Sequence, residues 1–358
     1  MLLKALIPTI FAGMIQIDYT KLKEILAIPK KIVIIPHKNP DGDAMGSTQG
    51  LCRFFKKLGH NALVISPNDY PSFLKWLPNT NEVLVYEHHK NKAERIIDEA
   101  DFIFTLDFNH FSRCGDLEAP LTKAKAKAKG KATFVMIDHH QQPDTYAKFA
   151  YSDVNMCSTC EMVYHFIDHM NGLETLDAEI ATCLYTGIMT DTGSFRYRST
   201  SSTTHRVIAK LIDAGADNTF IHESIYDTNT YSKLQLKGVA LKNLKLLPEY
   251  KTAYITMSQK ELDDHNFKKG DTEGFVNIGL SMQGYVFAII FIENKQEGII
   301  KMSFRSKGEF SVNEFARSYY NGGGHNNAAG GRSDLSLAAT IEEFLRILPN
   351  YKEALLNS

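Results

Sequence analysis

Eight side chains in four separated motifs have the chemistry to bind metal or move protons. They are His37, Asp41 and Asp43 in HKNPDGD, Asp107 in LDFNH, Asp138, His139 and His140 in IDHH, and Asp191 in TDTGSF. Singly, each has an ordinary explanation: HKNPDGD contains an Asp-Gly turn signal, and Asp107 is a polar residue at the end of an apolar run. Their convergence demands more. If four carboxylates meet in one pocket, each like-charge pair at about 4 Å costs about 4 kcal/mol at an effective dielectric near ~20. That load rivals the whole stability of a domain. Two divalent cations cancel the charge of four aspartates and leave the histidines as neutral ligands. Carboxylate with imidazole and no thiolate suits Mn²⁺, with Mg²⁺, Fe²⁺, Co²⁺ or Zn²⁺ as alternatives. Two such ions sharing an activated hydroxide hydrolyse phosphoesters, so phosphoester hydrolysis is the expected chemistry.

The positioning elements read as strands alternating with helices. Apolar runs at Ile32 to Ile35, in NALVISP, in NEVLVYEH, in DFIFTL and in TFVMI are continuous, as in parallel strands buried on both faces. Three of these runs end in the acid and histidine motifs, and open parallel sheets bind ligands outside the carboxyl ends of their strands. A helix is expected through STQGLCRFFKKLG, stopping near Gly59. Another is opened by Asp177 and broken near Gly193, and a capped one ends at Gly215. Residues 229–247 read as a helical connection to fresh strands in TAYITMS, YVFAIIFIE and IIKMSFRS. The expected fold is α/β: a doubly wound, mainly parallel N-terminal domain and a smaller α/β C-terminal domain. The expected boundaries are 1–226, a linker at 227–248, and 249–358.

The second domain suggests anion binding. NGGGHNNAAGG can bring backbone N–H groups of Gly322, Gly323 and Gly324 close to a phosphate, with His325 as a further donor, although a plain loop would have the same composition. SFRSKG adds Arg305 and Lys307, of which arginine suits bidentate phosphate recognition. Other features carry less. Cys157 and Cys160 form a lone C-x-x-C at a helix start, His88 and His89 lie in a charged stretch, and the lysine-alanine run at 123–131 reads as a solvated segment.

A chain of 358 residues is long enough for two domains, and 44% hydrophobic with 23% charged residues is the composition of a folded protein. The net charge of -1 argues against a protein that coats long double-stranded nucleic acid, while short anions stay open. Five cysteines suit a reducing cytoplasm better than a disulfide framework. The start MLLKALIPTIFAGM imitates a secretory signal, but Pro8 interrupts it, it is too short to span a bilayer, and no membrane partner is expected; residues 1–13 are equally consistent with a simple N-terminal extension. The sequence is compatible with a homodimer.

Taken in order and followed by GGGHNNAAGG, the motifs HKNPDGDAMGS, LDFNH, IDHH and TDTGSF resemble the DHH phosphoesterase superfamily with its DHH-associated C-terminal domain. Within it, they look like the exopolyphosphatase-related subgroup of oligoribonucleases that also dephosphorylate 3′-phosphoadenosine 5′-phosphate (pAp). The resemblance implies an active site in the cleft between the domains, with His37, Asp41 and Asp107 on one Mn²⁺ and Asp43, Asp107, His139 and Asp191 on the other. It further implies that Asp138 orients the ligands, that His140 meets the phosphate, and that Arg305, Gly322 to Gly324 and His325 grip the terminal nucleotide. Substrates implied are short RNA and pAp. The alternatives are a cyclic dinucleotide phosphodiesterase, an exopolyphosphatase or pyrophosphatase, and a non-catalytic nucleotide- or RNA-binding module.

Overall fold

A computed structural model describes residues 14–15, 17–127 and 132–358. The readings that touch residues 1–13 and the end of the lysine-alanine run lie outside the described residues. The chain divides into two compact units, one running to Thr228 and the other from Asn229 to Ser358.

The first unit is built on β1 (Met14–Ile15), β2 (Lys31–Ile35), β3 (Asn61–Ser66), β4 (Leu84–Val85), β5 (Phe102–Leu106), β6 (Thr133–Asp138) and β7 (Phe149–Ser152). Their order is β1-β7-β6-β5-β2-β3-β4, and every pairing is parallel except β1 with β7. Side chains alternate across the sheet: Ile32, Ile34 and Phe104 join one apolar cluster, Val33, Ile35 and Ile103 the other. Helices cover both faces, which is why these strands read as unbroken apolar runs.

Two elements differ from the sequence expectation. NEVLVYEH yields only the two-residue edge strand β4, flanked by single turns of 3₁₀ helix, with His88 and His89 exposed. The helix expected from Ser47 begins earlier and runs Gly42–Lys57, because Asp41 is its N-cap rather than part of a free turn. Asp43 is thereby carried into the first helical turn. Gly42, Gly46 and Gly50 form a stripe on this helix, and a Cβ at any of them would collide with the helix Ala178–Asp191. Close packing of these two helices puts Asp191 beside the loops that follow the strands.

The second unit holds β8 (Lys245–Leu247), β9 (Thr252–Met257), β10 (Phe287–Asn294), β11 (Ile299–Ser306), β12 (Gly323–His325) and β13 (Ala328–Ser333). The order is β12-β13-β11-β10-β9-β8, with β9 and β10 parallel and the other pairs antiparallel. One face buries Phe287, Ile289 and Phe291 against Phe315 and Phe344. The other buries Ala288 and Ile290 in a cluster with Leu236 and Ala240 of the helix Tyr231–Lys242, which lies in the stretch read as a linker. The glycine cluster is not a loop: it forms most of the β12–β13 hairpin.

Candidate functional site

The strand order places a topological switch next to β2. From β2 the chain builds outward through β3 and β4, then returns to the other side with β5, β6 and β7. The loops after β2 and β5 therefore part at this point, and a crevice opens at the carboxyl edge. His37 lies two residues beyond β2, Asp107 follows β5 directly, Asp138 ends β6, and Asp191 ends its helix.

Asp107 sits at the centre. It adopts φ 65°, a left-handed conformation that aspartate tolerates, while its N–H donates to the Ile137 carbonyl at 3.1 Å. Its Oδ2 lies 3.3 Å from His37 Nε2, and its Oδ1 lies 3.5 Å from His139 Nε2. His37 Nε2 is also 3.8 Å from Asp41 Oδ2. His139 Nε2 is also 3.8 Å from Asp43 Oδ2 and 3.6 Å from Asp191 Oδ2. His140 takes a different partner: its Nδ1 donates to Asp138 Oδ1 at 2.7 Å, and its backbone N–H donates to the other oxygen at 3.0 Å. All eight predicted residues are thus brought together in the first unit.

The tautomers fix which ring nitrogens face the carboxylates. His37 Nδ1 donates to the Lys38 carbonyl at 2.9 Å, and His139 Nδ1 donates to the Met156 carbonyl at 3.0 Å. A carbonyl only accepts, so in each neutral ring Nε2 presents a lone pair to carboxylates that also only accept. Such acceptor-to-acceptor gaps need a positive species, either a proton or a cation. Against the effect of burial, hydrogen bonds to Asp107 and Asp41 raise His37 to about 10, and Asp107 with the Asp191 and Asp43 charges raises His139 well above its usual range. Burial and the charges of Asp107 and Asp191 push Asp43 well above the usual carboxylate range. Burial opposes ionisation of Asp107 too, but its hydrogen bonds with His139 and His37 hold it far below that range.

The donor set fits divalent cations. The ligand atoms of His37, Asp41 and Asp107, and those of Asp43, Asp107 and His139, lie within 4.8 Å of one another in each trio. Ligand distances of about 2.0–2.2 Å to a first-row divalent ion span such a trio. Asp107 belongs to both, so these residues could hold two cations with one shared carboxylate. Asp138 and His140 form a third trio with Asp107, but their mutual hydrogen bond already occupies them.

Several residues of the site carried no functional signal in the sequence reading. The helix Thr159–His169 aims its first N–H groups at Asp43: Thr159 N lies 2.6 Å from Oδ2, and Cys160 N lies 2.8 Å from Oδ1. Thr159 Oγ1 donates to Asp107 Oδ1 at 2.9 Å. Asn109 Nδ2 donates to the carbonyls of His140 and Gln141, both at 3.0 Å, and so ties the β5 loop to the β6 loop. The cysteines of the C-x-x-C are free and buried, and the Cys157 thiol donates to Glu161.

In the second unit, Arg305 lies on β11 and His325 on β12. The expected cradle of glycine N–H groups is narrowed by internal use: Gly322 N–H donates to the Ala316 carbonyl at 3.2 Å, and Gly324 N–H to Asn313 Oδ1 at 3.0 Å. A Cβ on Gly322 would strike the Gly330 carbonyl, and one on Gly324 the Ala328 carbonyl, so close strand approach accounts for these glycines.

Comparison with known proteins supplies the family. Residues 31–188 match the DHH family, N-terminal domain, and residues 249–353 match the DHHA1 domain. The bifunctional oligoribonuclease and PAP phosphatase NrnA of Thermus thermophilus is 30% identical over 85% of this chain and 84% of its own length. The cyclic-di-AMP phosphodiesterase PdeA of Listeria monocytogenes is 24% identical over 92% of this chain but 49% of its own length. The crystal structure of an exopolyphosphatase-related protein from Bacteroides fragilis matches with a TM-score of 0.89 at 36% identity, covering 94% of this chain and 97% of that one.

Proposed function

Because the chain belongs to the DHH family and is a phosphoesterase, we propose that it hydrolyses short oligoribonucleotides to mononucleotides, and pAp to AMP and phosphate, using two Mn²⁺. The observation that carries this reading is Asp107, whose two oxygens face two separate histidines, His37 and His139. In the proposal His37, Asp41 and Asp107 hold one cation, and Asp43, Asp107, His139 and Asp191 hold the other. Bound there, the cation pair supplies Lewis-acid charge that acidifies water and offsets negative charge on the phosphoryl oxygens.

The chain's own groups do the rest. Asp138 engages His140 through Nδ1 and thereby assigns Nε2 to the phosphate. Burial lowers the pKa of His140 despite the nearby Asp138 charge, so the neutral ring keeps its proton on Nδ1 and offers Nε2 as an acceptor. Nε2 would take a proton from the attacking water and pass it to the leaving ribose oxygen as the P–O bond breaks. Arg305 and His325 contact the terminal nucleotide or its second phosphate. Support for short substrates comes from the NrnA relatives, which match over most of their own length. Residence in a reducing cytoplasm is supported by five free, buried cysteines, and no described helix is long and apolar enough to cross a membrane.

Cyclic dinucleotide cleavage is the second reading, favoured by the PdeA and GdpP relatives, of which this chain spans about half. The deciding experiment is an Mn²⁺-supplemented assay comparing pAp, RNA dinucleotides, longer RNA, cyclic-di-AMP and pyrophosphate. Preference for pAp and dinucleotides is expected. Equal turnover of long RNA defeats the short-substrate reading, and preference for cyclic-di-AMP promotes the second. A non-catalytic binding module would turn over none of them.

A further inference from the structure

We propose that Thr159 is a positioning residue that sets the affinity of one cation pocket, the one made by Asp43, Asp107 and His139, and leaves the His37–Asp41 pocket untouched. This rests on the metal-centre reading above. Thr159 is fully buried and holds two aspartates at once: its backbone N–H donates to Asp43 Oδ2 at 2.6 Å, and its hydroxyl donates to Asp107 Oδ1 at 2.9 Å. It therefore fixes the spacing of the two carboxylates that the pocket shares.

The selectivity follows from which oxygen is bound. Oδ2 of Asp107 faces His37, and Oδ1 faces His139. The hydroxyl of Thr159 grips Oδ1 alone. Without it, the oxygen on the His139 side becomes a buried acceptor short of a donor, while Oδ2 keeps its own neighbour, His37. Contacts that orient a ligand in this way alter metal affinity by about 10–100-fold.

The clamp is itself anchored. Ser158 caps the helix, its Oγ accepting from Glu161 N at 3.1 Å. Glu161, buried in turn, accepts from the Cys157 thiol at 2.7 Å and from Thr204 Oγ1 at 2.9 Å. Thr204 belongs to the capping box of the helix Ser202–Asp213, so two helices hold the N-terminus that carries Thr159. Relaxation of the backbone toward Asp107 is therefore restricted.

Thr159→Val isolates the hydroxyl, because it keeps the β-branch and the backbone N–H on Asp43. The test is Mn²⁺ titration of the full chain by calorimetry and electron paramagnetic resonance, with each pocket read in a background lacking the other. In a His37→Ala background, Thr159→Val is expected to weaken the remaining site by about 10–100-fold, and Thr159→Ser to restore it. In a His139→Ala background, Thr159→Val is expected to change binding far less, because its hydroxyl does not touch Oδ2, the Asp107 oxygen that faces His37. Equal weakening in both backgrounds, or unchanged binding in the first, overturns the proposal. If Thr159→Val loses its cooperative thermal transition, Thr159→Ala makes the same comparison. A wild-type chain that binds no Mn²⁺ overturns the metal-centre reading, and this inference with it.

Discussion

Arg305 and His325 stand on one rung of the second sheet. Arg305 of β11 is paired with Ala328 of β13, and Ala328 is paired with His325 of β12. Directly opposed residues stand on the same face, about 10 Å apart at their bases, and Arg305 Nη1 donates to the Phe304 carbonyl at 3.0 Å. Between them Ala328 offers only a methyl group. A cationic donor and a second donor flanking a shallow gap is an arrangement suited to a phosphate or nucleotide edge.

If this rung grips substrate, Arg305→Ala should raise KM for pAp and RNA dinucleotides by about 10–100-fold, the loss of a charge-assisted hydrogen bond. Mn²⁺ stoichiometry should stay as in the wild type. Ala328→Leu should act the same way by filling the gap. Steady-state kinetics beside metal analysis separate these outcomes, and a fall in metal content would place Arg305's role elsewhere.

Asp107→Ala removes the only carboxylate common to both candidate metal trios, leaving His37 with Asp41 and His139 with Asp43. It should lower kcat by at least ~10³-fold and reduce bound metal below two equivalents. An unchanged hydrolysis rate would remove the two-metal proposal. Asp107→Asn, which keeps the shape but not the charge, should behave nearly as badly.

Much of this site was legible because its ligands are side chains of distinctive type set at the ends of apolar runs. His37, Asp107 and the Asp138–His140 group follow β2, β5 and β6, and parallel pairing brings such ends together whatever the helices between them. Thr159 and Cys160 escaped notice because two of their three bonds to the acids come from backbone N–H groups, which every residue type supplies. The CSTC stretch drew attention to its thiols instead. Asp41 was read as a candidate ligand, but its place as a helix N-cap was hidden, since Asp-Gly signals a turn as readily as an N-cap followed by a helix. The stripe of Gly42, Gly46 and Gly50 went unread, and its meaning comes from the close approach of the helix Ala178–Asp191. The β12–β13 hairpin was obscured for a different reason: glycine is disfavoured in strands, and only the tight contacts of Gly322 and Gly324 with neighbouring carbonyls make it the residue required.

The protonation of the metal-free site predicts how metal and pH interact. His37 rises from 6.5 to about 10 because Asp107 and Asp41 outweigh burial, and His139 and Asp43 are also raised. A group whose folded pKa is raised stabilises the fold below its unfolded pKa and loses that contribution as pH climbs through the folded value. The metal-free protein should therefore lose stability between about pH 6.5 and 10, whereas cations hold the loaded site together once the protons leave. Differential scanning calorimetry with Mn²⁺ and with chelator should find a gap in Tm that widens with pH. Calorimetric titration at pH 7 should also register proton release on binding, seen as a dependence of the heat on buffer ionisation. A constant Tm gap and no released protons would contradict the picture.

Asp177 offers a test of how the far end of a helix supports the site. It caps the helix Ala178–Asp191, its Oδ1 accepting from Ile180 N at 2.9 Å. Arg53 of the helix Gly42–Lys57 donates to it through Nε at 3.0 Å and through Nη2 at 2.8 Å, and Lys57 Nζ lies 3.0 Å away. Asp177 thus ties together the two helices that carry Asp43 and Asp191. Burial works against its charge, but Arg53 and the capped N–H hold its carboxyl far below the usual range. A depressed carboxylate stabilises the fold above its unfolded pKa of 3.8 and loses that contribution as pH falls toward the folded value. Asp177→Ala should cost about 1–2 kcal/mol, chiefly as a lost cap with partly exposed ion pairs adding little. Denaturant unfolding at pH 7 should find that loss, and at pH 2.5 the variant and wild type should differ by less. Metal affinity should fall only modestly, because Asp191 lies at the other end of the helix from the cap. An equal deficit at both pH values would assign the effect to packing rather than to the Asp177 charge.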